Sequence, residues 1–410
     1  MLVLGALLVP TAHAEQKTAP QHPPALKLPR PKRLDRGMEL RRDAATGELR
    51  TLPAKTQPAG GTSKAAAVTT IRARVGLVEI HCNVLSPDGT YIRGLSREDF
   101  RVLEDGAEQR MVHFDASNEP ARIALVWDAS PSVFREWEEM KAAARTLARN
   151  LAPQDEVAVV AFAAGAHLLL PFSRDRDALE RSIESVELAR SMEEKGSNIY
   201  QAIYLAVREL FGESAARRGR RAIVLLTDGQ DSGLGLRWDA AMPQGGMQTG
   251  SQADRLTFED VARALAAAGV EVYAVSTQPR PKSMSDAWLE AHGEETLVTP
   301  AARELGMPHY TVYLAELVRR AGGRLYFLRE MGALSEVYRR IAETLGAQYA
   351  LGYYPSAGIT RPGWRKLRVE VAAPEDEAEK GQERTGPSAP RTLTGARVAH
   401  RVAYYVPTER

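Results

Sequence analysis

The sequence predicts an α/β protein: a mostly parallel sheet flanked by helices, inserted in or flanked by a small β module. Three observations carry this expectation. From residue 121 to about 348, short apolar runs alternate with amphipathic stretches, the signature of parallel strands covered by helices. On either side of that segment, period-two runs and tight turns follow one another without helices between them. Within it, the run Ile123–Trp127 ends abruptly in Asp128-Ala-Ser130-Pro-Ser132, a hydroxyl-rich turn where open α/β sheets bind ligands.

The elements follow in order. Residues 1–14 carry an apolar core too short to span a bilayer and end in Ala12-His13-Ala14, as a cleaved signal peptide would. Residues 15–69 are rich in Pro, Lys, Arg, Ala and Thr without apolar periodicity, which predicts a disordered linker. Residues 70–118 form an N-terminal β module, with alternation through Val75–Val84, a turn at Ser86-Pro-Asp-Gly89, and short strands at 91–95, 100–104 and 110–114. His81 and Cys82 are strand neighbours and point to opposite faces, and no other ligand spacing supports them, so metal binding is not expected there.

Residues 119–348 form the α/β domain, with parallel strands predicted at 123–127, 157–162, 222–226, 270–276 and 324–328 and an added antiparallel strand at 167–172. Helices are expected at 134–151, 176–187, 199–211, 258–268, 312–321 and 334–345. In the first of them, Trp137, Met140, Ala144 and Leu147 recur at the spacing of a buried face. Residues 349–410 return to β type, with strands at 348–354, 364–371 and 396–406. They either complete the N-terminal module or form a separate appendage.

Composition narrows the function classes. The 410 residues suit about two to three domains, with 44% hydrophobic and 26% charged residues. A net charge of +2 supplies no strong field for nucleic acid or an anionic membrane. The single cysteine, Cys82, excludes an intrachain disulfide and a Cys-based zinc site. No segment after the leader is apolar enough for a transmembrane helix, so the expected location is outside the cytoplasm, periplasmic or extracellular.

Asp128-x-Ser-x-Ser by itself is equally a helix N-cap. Two further segments favour a cation. Ala222–Thr227 is a second buried run ending in Asp228-Gly229, and Gly196-Ser197-Asn198 precedes an amphipathic helix. In a parallel sheet the strand tips and the helix-start loops share one edge, so Asp128, Ser130, Ser132, Ser197 and Asp228 can meet around one point. Hard oxygens suit Mg²⁺ or a similar ion. Two carboxylates only neutralise a divalent cation, which leaves it able to take one more anionic oxygen from a partner.

These residues, in this order and strand context, resemble the metal-ion-dependent adhesion site of von Willebrand factor type A domains. The resemblance implies a Rossmann-like domain binding Mg²⁺, sometimes Mn²⁺ or Ca²⁺. It implies coordination by the Ser130, Ser132 and Ser197 hydroxyls, with Asp128 and Asp228 acting directly or through water. The family usually has Thr where Ser197 stands; serine lacks the methyl group that stiffens χ1. Gly94–Phe100 with Val102–Gly106, and Tyr349–Pro355, Trp364–Val369 and Val402–Pro407, are similar to the flanks of exported bacterial "VWFA-related" proteins, best known from Acidobacteria.

The expected function is therefore a non-enzymatic, metal-dependent protein-binding module whose partner offers a Glu or Asp carboxylate. A scaffold that uses the ion for local order is the alternative. A metal-assisted hydrolase is disfavoured by the absence of Gly-x-Ser-x-Gly, His-Glu-x-x-His or any histidine spacing motif. The long connections 230–256 and 278–309 leave from the metal edge. Trp238 and Trp288 within them are either partner anchors or packing for their own loops. Asp231 is expected as a turn or capping carboxylate.

Overall fold

The protein is seen here as a computed structural model that describes residues 31–34, 38–43, 49–53, 77–116, 119–130, 137–184, 196–212, 219–229, 231, 256–278, 309–328, 330–356, 362–371, 393 and 395–406. Three short strands come first: β1 (Lys32–Arg33) and the antiparallel pair β2 (Met38–Arg42) and β3 (Leu49–Pro53). They lie inside residues 15–69 and correct the linker expectation for this stretch. What orders them is not local. β1 pairs with the sheet edge at Leu168 and His167, and Leu34 and Leu49 are buried in the α/β core. Arg42 makes a bidentate pair with Asp260 (2.9 and 2.7 Å), and the Tyr204 hydroxyl donates to the Leu49 carbonyl at 3.2 Å.

Next come β4 (Val78–Leu85), β5 (Phe100–Glu104), β6 (Ala107–Gln109) and β7 (Met111–Asp115). The α/β segment then runs β8 (Ala121–Asp128), α1 (Trp137–Asn150), β9 (Glu156–Phe162), β10 (Ala166–Ser173), α2 (Arg176–Glu184), α3 (Ile199–Ala206), β11 (Arg220–Thr227), α4 (Phe258–Ala268), β12 (Glu271–Ser276), α5 (His309–Ala321), β13 (Gly323–Phe327) and α6 (Leu334–Leu345). The expected helix 199–211 changes to a π turn over Val207–Phe211, and Phe211 packs edge-on against Phe172 at 5.2 Å. α4 shows how sequence sets both ends of a helix. Thr257 and Asp260 cap each other's backbone N–H groups, and Gly269 takes the left-handed conformation at the exit.

Among the described residues the main sheet has seven strands in the order β1-β10-β9-β8-β11-β12-β13. β9, β8, β11, β12 and β13 are parallel, whereas β10 pairs antiparallel with β9, and β1 pairs antiparallel with β10. Both faces are covered, and strand residues alternate between them. Ile123, Leu125 and Trp127 pack with Met140, Leu147, Tyr338 and Ile341 of α1 and α6. Ala124 and Val126 pack with Ile203, Leu265 and Leu317 of α3, α4 and α5. Burial on both faces explains why these strands are apolar throughout.

After α6 come β14 (Tyr349–Tyr353), β15 (Gly363–Val371), β16 (Arg397–His400) and β17 (Ala403–Val406). They pair with the strands that precede the α/β segment, in two sheets, each of four strands among the described residues, ordered β16-β4-β14-β7 and β17-β15-β5-β6. The two sheets share one apolar core, in which Ile80, Cys82, Val102, Leu351, Leu367 and Val369 meet. Glu104 is buried there because the Tyr353 and Tyr404 hydroxyls donate to it at 2.6 and 3.0 Å. Gln348 Nε2 and the Tyr273 hydroxyl both donate to Glu271 Oε2, at 2.7 and 2.9 Å, and so tie the start of β14 to β12.

His400 gives this β region a pH dependence. Its Nε2 accepts the Val369 N–H at 3.1 Å, a role open only to the neutral ring, and burial holds its pKa below the usual 6.5. The unfolded chain takes up a proton at about 6.5 while the folded ring resists it, so stability is lost as pH falls below that value. Denaturant midpoints between pH 7.5 and 5 should show this loss, and His400→Gln should flatten it.

Candidate metal centre

The described donors come from three places: the end of β8, the segment before α3 and the end of β11. Asp128 is the last residue of β8, 1% exposed, and its Oδ1 accepts the Ser130 N–H at 2.9 Å, closing the turn that carries Ser130. Thr227 ends the neighbouring parallel strand, β11. Leu226 pairs with Trp127, so Thr227 and Asp128 leave the sheet side by side. Asp128 Oδ2 accepts the Thr227 hydroxyl at 2.9 Å and the Ser197 hydroxyl at 3.1 Å. Thr227 Oγ1 in turn accepts the Gly229 N–H at 3.0 Å, which shapes the turn around the buried Asp228.

Ser197 belongs to the segment that opens α3. That segment is pinned by Asn198, whose backbone N–H and Nδ2 donate to the carbonyls of Ala163 and Ala164 at 2.8 and 2.6 Å. Asp231 Oδ1 accepts the Tyr200 N–H at 3.4 Å, in the first turn of α3. That is the capping role its sequence context suggests. β9 and then β10 follow on one side of β8, and the next strand in the chain, β11, lies on its other side. The cluster therefore sits at the C-terminal sheet edge where strand order reverses, the usual ligand crevice of open α/β sheets.

The structure thus gathers Asp128, Ser130, Ser197 and Asp228, and adds Thr227, which sequence reasoning quoted only as part of a run. Its signal was the parallel pairing of two strands ending in Asp and in Thr-Asp. Ser132 lies in 131–136, outside the described residues, as do Trp238, Trp288 and nearly all of both long connections. The electrostatics fit a cation. Burial pushes the Asp128 carboxyl up to about 6, opposed by the Ser130 and Thr227 hydrogen bonds and reinforced by the charge of Asp228. A divalent cation would offset both the burial cost and the repulsion. The donors are all hard oxygens, so the residues present fit such an ion.

Residues 123–230 match the family model of the von Willebrand factor type A domain. The α/β unit has the von Willebrand factor type A fold. That family binds a divalent metal at its adhesion site and mediates protein–protein interaction.

Solved structures similar to this chain include three with low identity. An aerotolerance-related membrane protein from Bacteroides fragilis NCTC 9343 shares 18% identity over 54% of this chain and 98% of its own, with a TM-score of 0.36. The conserved hypothetical protein BatB from Bacteroides thetaiotaomicron shares 19% over 54% and 99%, with a TM-score of 0.33. Proximal thread matrix protein 1 from the mussel byssus, with a zinc-occupied MIDAS motif, shares 15% over 59% and 49%, with a TM-score of 0.37. No curated protein matches the chain. Among the described residues no helix is long and apolar enough to cross a membrane.

Proposed function

We propose that this chain is an exported, non-enzymatic interaction module. In this reading a divalent cation, Mg²⁺ by preference, is held by Asp128, Ser130, Ser132, Ser197 and Asp228 and captures a Glu or Asp carboxylate of a partner protein. The observation that supports it most is the convergence on Asp128 of the Ser197 and Thr227 hydroxyls beside a second buried carboxylate, Asp228. Such a pair carries little surplus negative charge once a divalent ion is bound. The ion then gains from a third anionic oxygen, and an acidic side chain supplies one. The strands on either side of the A domain act as its mounting, with Trp364 Nε1 donating to Glu259 of α4 at 2.6 Å.

Capture from the native exported fraction with Mg²⁺ and with EDTA tests the reading. Partner recovery should need the ion in the unmodified chain and vanish in Asp128→Ala. EDTA-sensitive recovery by Asp128→Ala would contradict it. Chelation that lowers only the melting temperature, with recovery unchanged, would favour an A domain that uses the ion for local order.

A further inference from the structure

A second cluster of metal-ligating groups lies in the β region, on the face opposite its apolar core. β14 is the shared partner of β4 and β7. Its Gly352 pairs with both Glu79 and His113, and its Ala350 pairs with both His81 and Asp115. Directly paired residues of antiparallel strands present their side chains on one face. Glu79, His81, His113 and Asp115 therefore share a face, and β14 sets only a glycine and an alanine between them. A Cβ at Gly352 would stand 2.9 Å from the His113 Cβ, so only glycine fits and the long side chains of β4 and β7 can approach across it.

Glu119, in the segment leading into β8, completes the cluster. Ligand atoms of Glu79, His81 and Glu119 all lie within 4.8 Å of one another. His81 Nε2 stands 3.2 Å from Glu79 Oε1, and His113 Nε2 stands 4.0 Å from Glu119 Oε1. Yet His81 Nε2, His113 Nε2 and Glu119 Oε2 are buried without a hydrogen-bond partner among the described residues, and His81 is only 9% exposed. Buried polar atoms are normally paired, so the orphans on His81 and Glu119, with that of His113 beside Glu119, suggest a ligand that pairs them. Two cations stand nearby: Arg221 Nη1 donates to the Ala268 carbonyl and Arg401 Nη2 to the Glu79 carbonyl, at 2.9 and 2.6 Å.

The charges agree with this geometry. Burial and the repulsion of Glu79 and Asp115 raise the Glu119 carboxyl, against the pull of His81 and His113. Burial also works to raise Glu79, but the close approach and charge of His81, with the charges of His113 and Arg221, outweigh it and hold the group low.

We propose that Glu79, His81, His113 and Glu119 form a second divalent-metal site, distinct from the Asp128 site and suited to a transition ion such as Zn²⁺. Two imidazoles with two carboxylates are a donor set for zinc, whereas Mg²⁺ favours oxygen and water throughout. Its ligands come from β4, β7 and the lead into β8. The ion therefore clamps the β region to the root of the strand whose far end carries Asp128. The spacing along the chain hides it, since the ligands gather only when β14 brings β4 and β7 together.

The test uses the full chain stripped of metal and then titrated with Zn²⁺, with bound metal counted by mass spectrometry. The Asp128→Ala variant removes the first site and should still take up one Zn²⁺ per chain. Adding Glu119→Gln, which keeps size and shape, should weaken that uptake by about 100-fold or more, since even outer-shell changes cost 10–100-fold. Circular dichroism and metal-free melting of the two variants should coincide, which separates lost ligation from lost folding. The unmodified chain loaded with Co²⁺ should show the visible absorption of a nitrogen- and oxygen-ligated ion, and this readout needs no substitution. Asp128→Ala that binds no Zn²⁺, or the double variant binding as tightly as Asp128→Ala, would overturn the proposal.

Discussion

Replacing Asp128 with asparagine is expected to erase the ion-dependent stability of the A domain without unfolding it. Asparagine keeps the volume and still offers an oxygen to the Ser130 N–H, so the turn survives. It removes the charge that burial and Asp228 make costly, so the chelated variant should be at least as stable as the chelated parent. The difference appears on adding Mg²⁺. At 100 times its Kd an ion bound only by the folded state stabilises by about 2.7 kcal/mol. The parent should therefore melt several degrees higher and the variant should not move. The gain in the parent should also shrink below pH about 6, where Asp128 takes up the proton that the ion must displace. Scanning calorimetry at pH 7.5 and 5, with Mg²⁺ and with EDTA, reads all of these.

A second large effect is expected at Glu316, far from that site. This α5 carboxylate is fully buried and accepts from Arg319 at 2.9 Å through both Nε and Nη2, and from Arg320 Nε at 2.6 Å. Arg320 Nη1 also reaches Glu259, which accepts the Trp364 indole N–H, so one network joins α5, α4 and β15. Removing one partner of a buried ionic network leaves charge without compensation and costs about 3–5 kcal/mol. The arginines keep some solvent contact, so Glu316→Ala should fall near the lower end of that range in chemical denaturation. Glu336 binds Arg339 and Arg340 in a similar pattern but on the exposed face of α6. Exposed pairs contribute little, and Glu336→Ala should leave the denaturation midpoint nearly unchanged.

The contrast between these two glutamates also marks what sequence reading could reach. Parallel strands such as β8 and β11 are visible as apolar runs because both of their faces are covered. Helix α4 is legible at both ends because Thr257, Asp260 and Gly269 act locally. The Asp128 cluster was accessible through that regularity: once two strands end in Asp128 and Asp228, a parallel sheet puts both tips on one edge. The pairing of Arg42 with Asp260, which orders β2 and β3, joins residues that nothing local connects. A basic, proline-containing stretch therefore resembles a linker until its docking surface exists. The grouping of Glu79, His81, His113 and Glu119 was hidden for the same reason, because it depends on which strands flank β14.

In the proposed reading the oxygens around Asp128 hold a divalent cation. Anomalous diffraction from crystals of the chain grown in Mn²⁺ tests it most directly. A manganese peak is expected at the C-terminal tips of β8 and β11, about 2.1–2.3 Å from the Ser130 and Ser197 hydroxyls, as for a hard ion among oxygen ligands. Asp128 and Asp228 should contact that ion directly or through one water. A structure at saturating Mn²⁺ with no peak there, and with Asp128 Oδ2 still bound to the Ser197 and Thr227 hydroxyls, would contradict it.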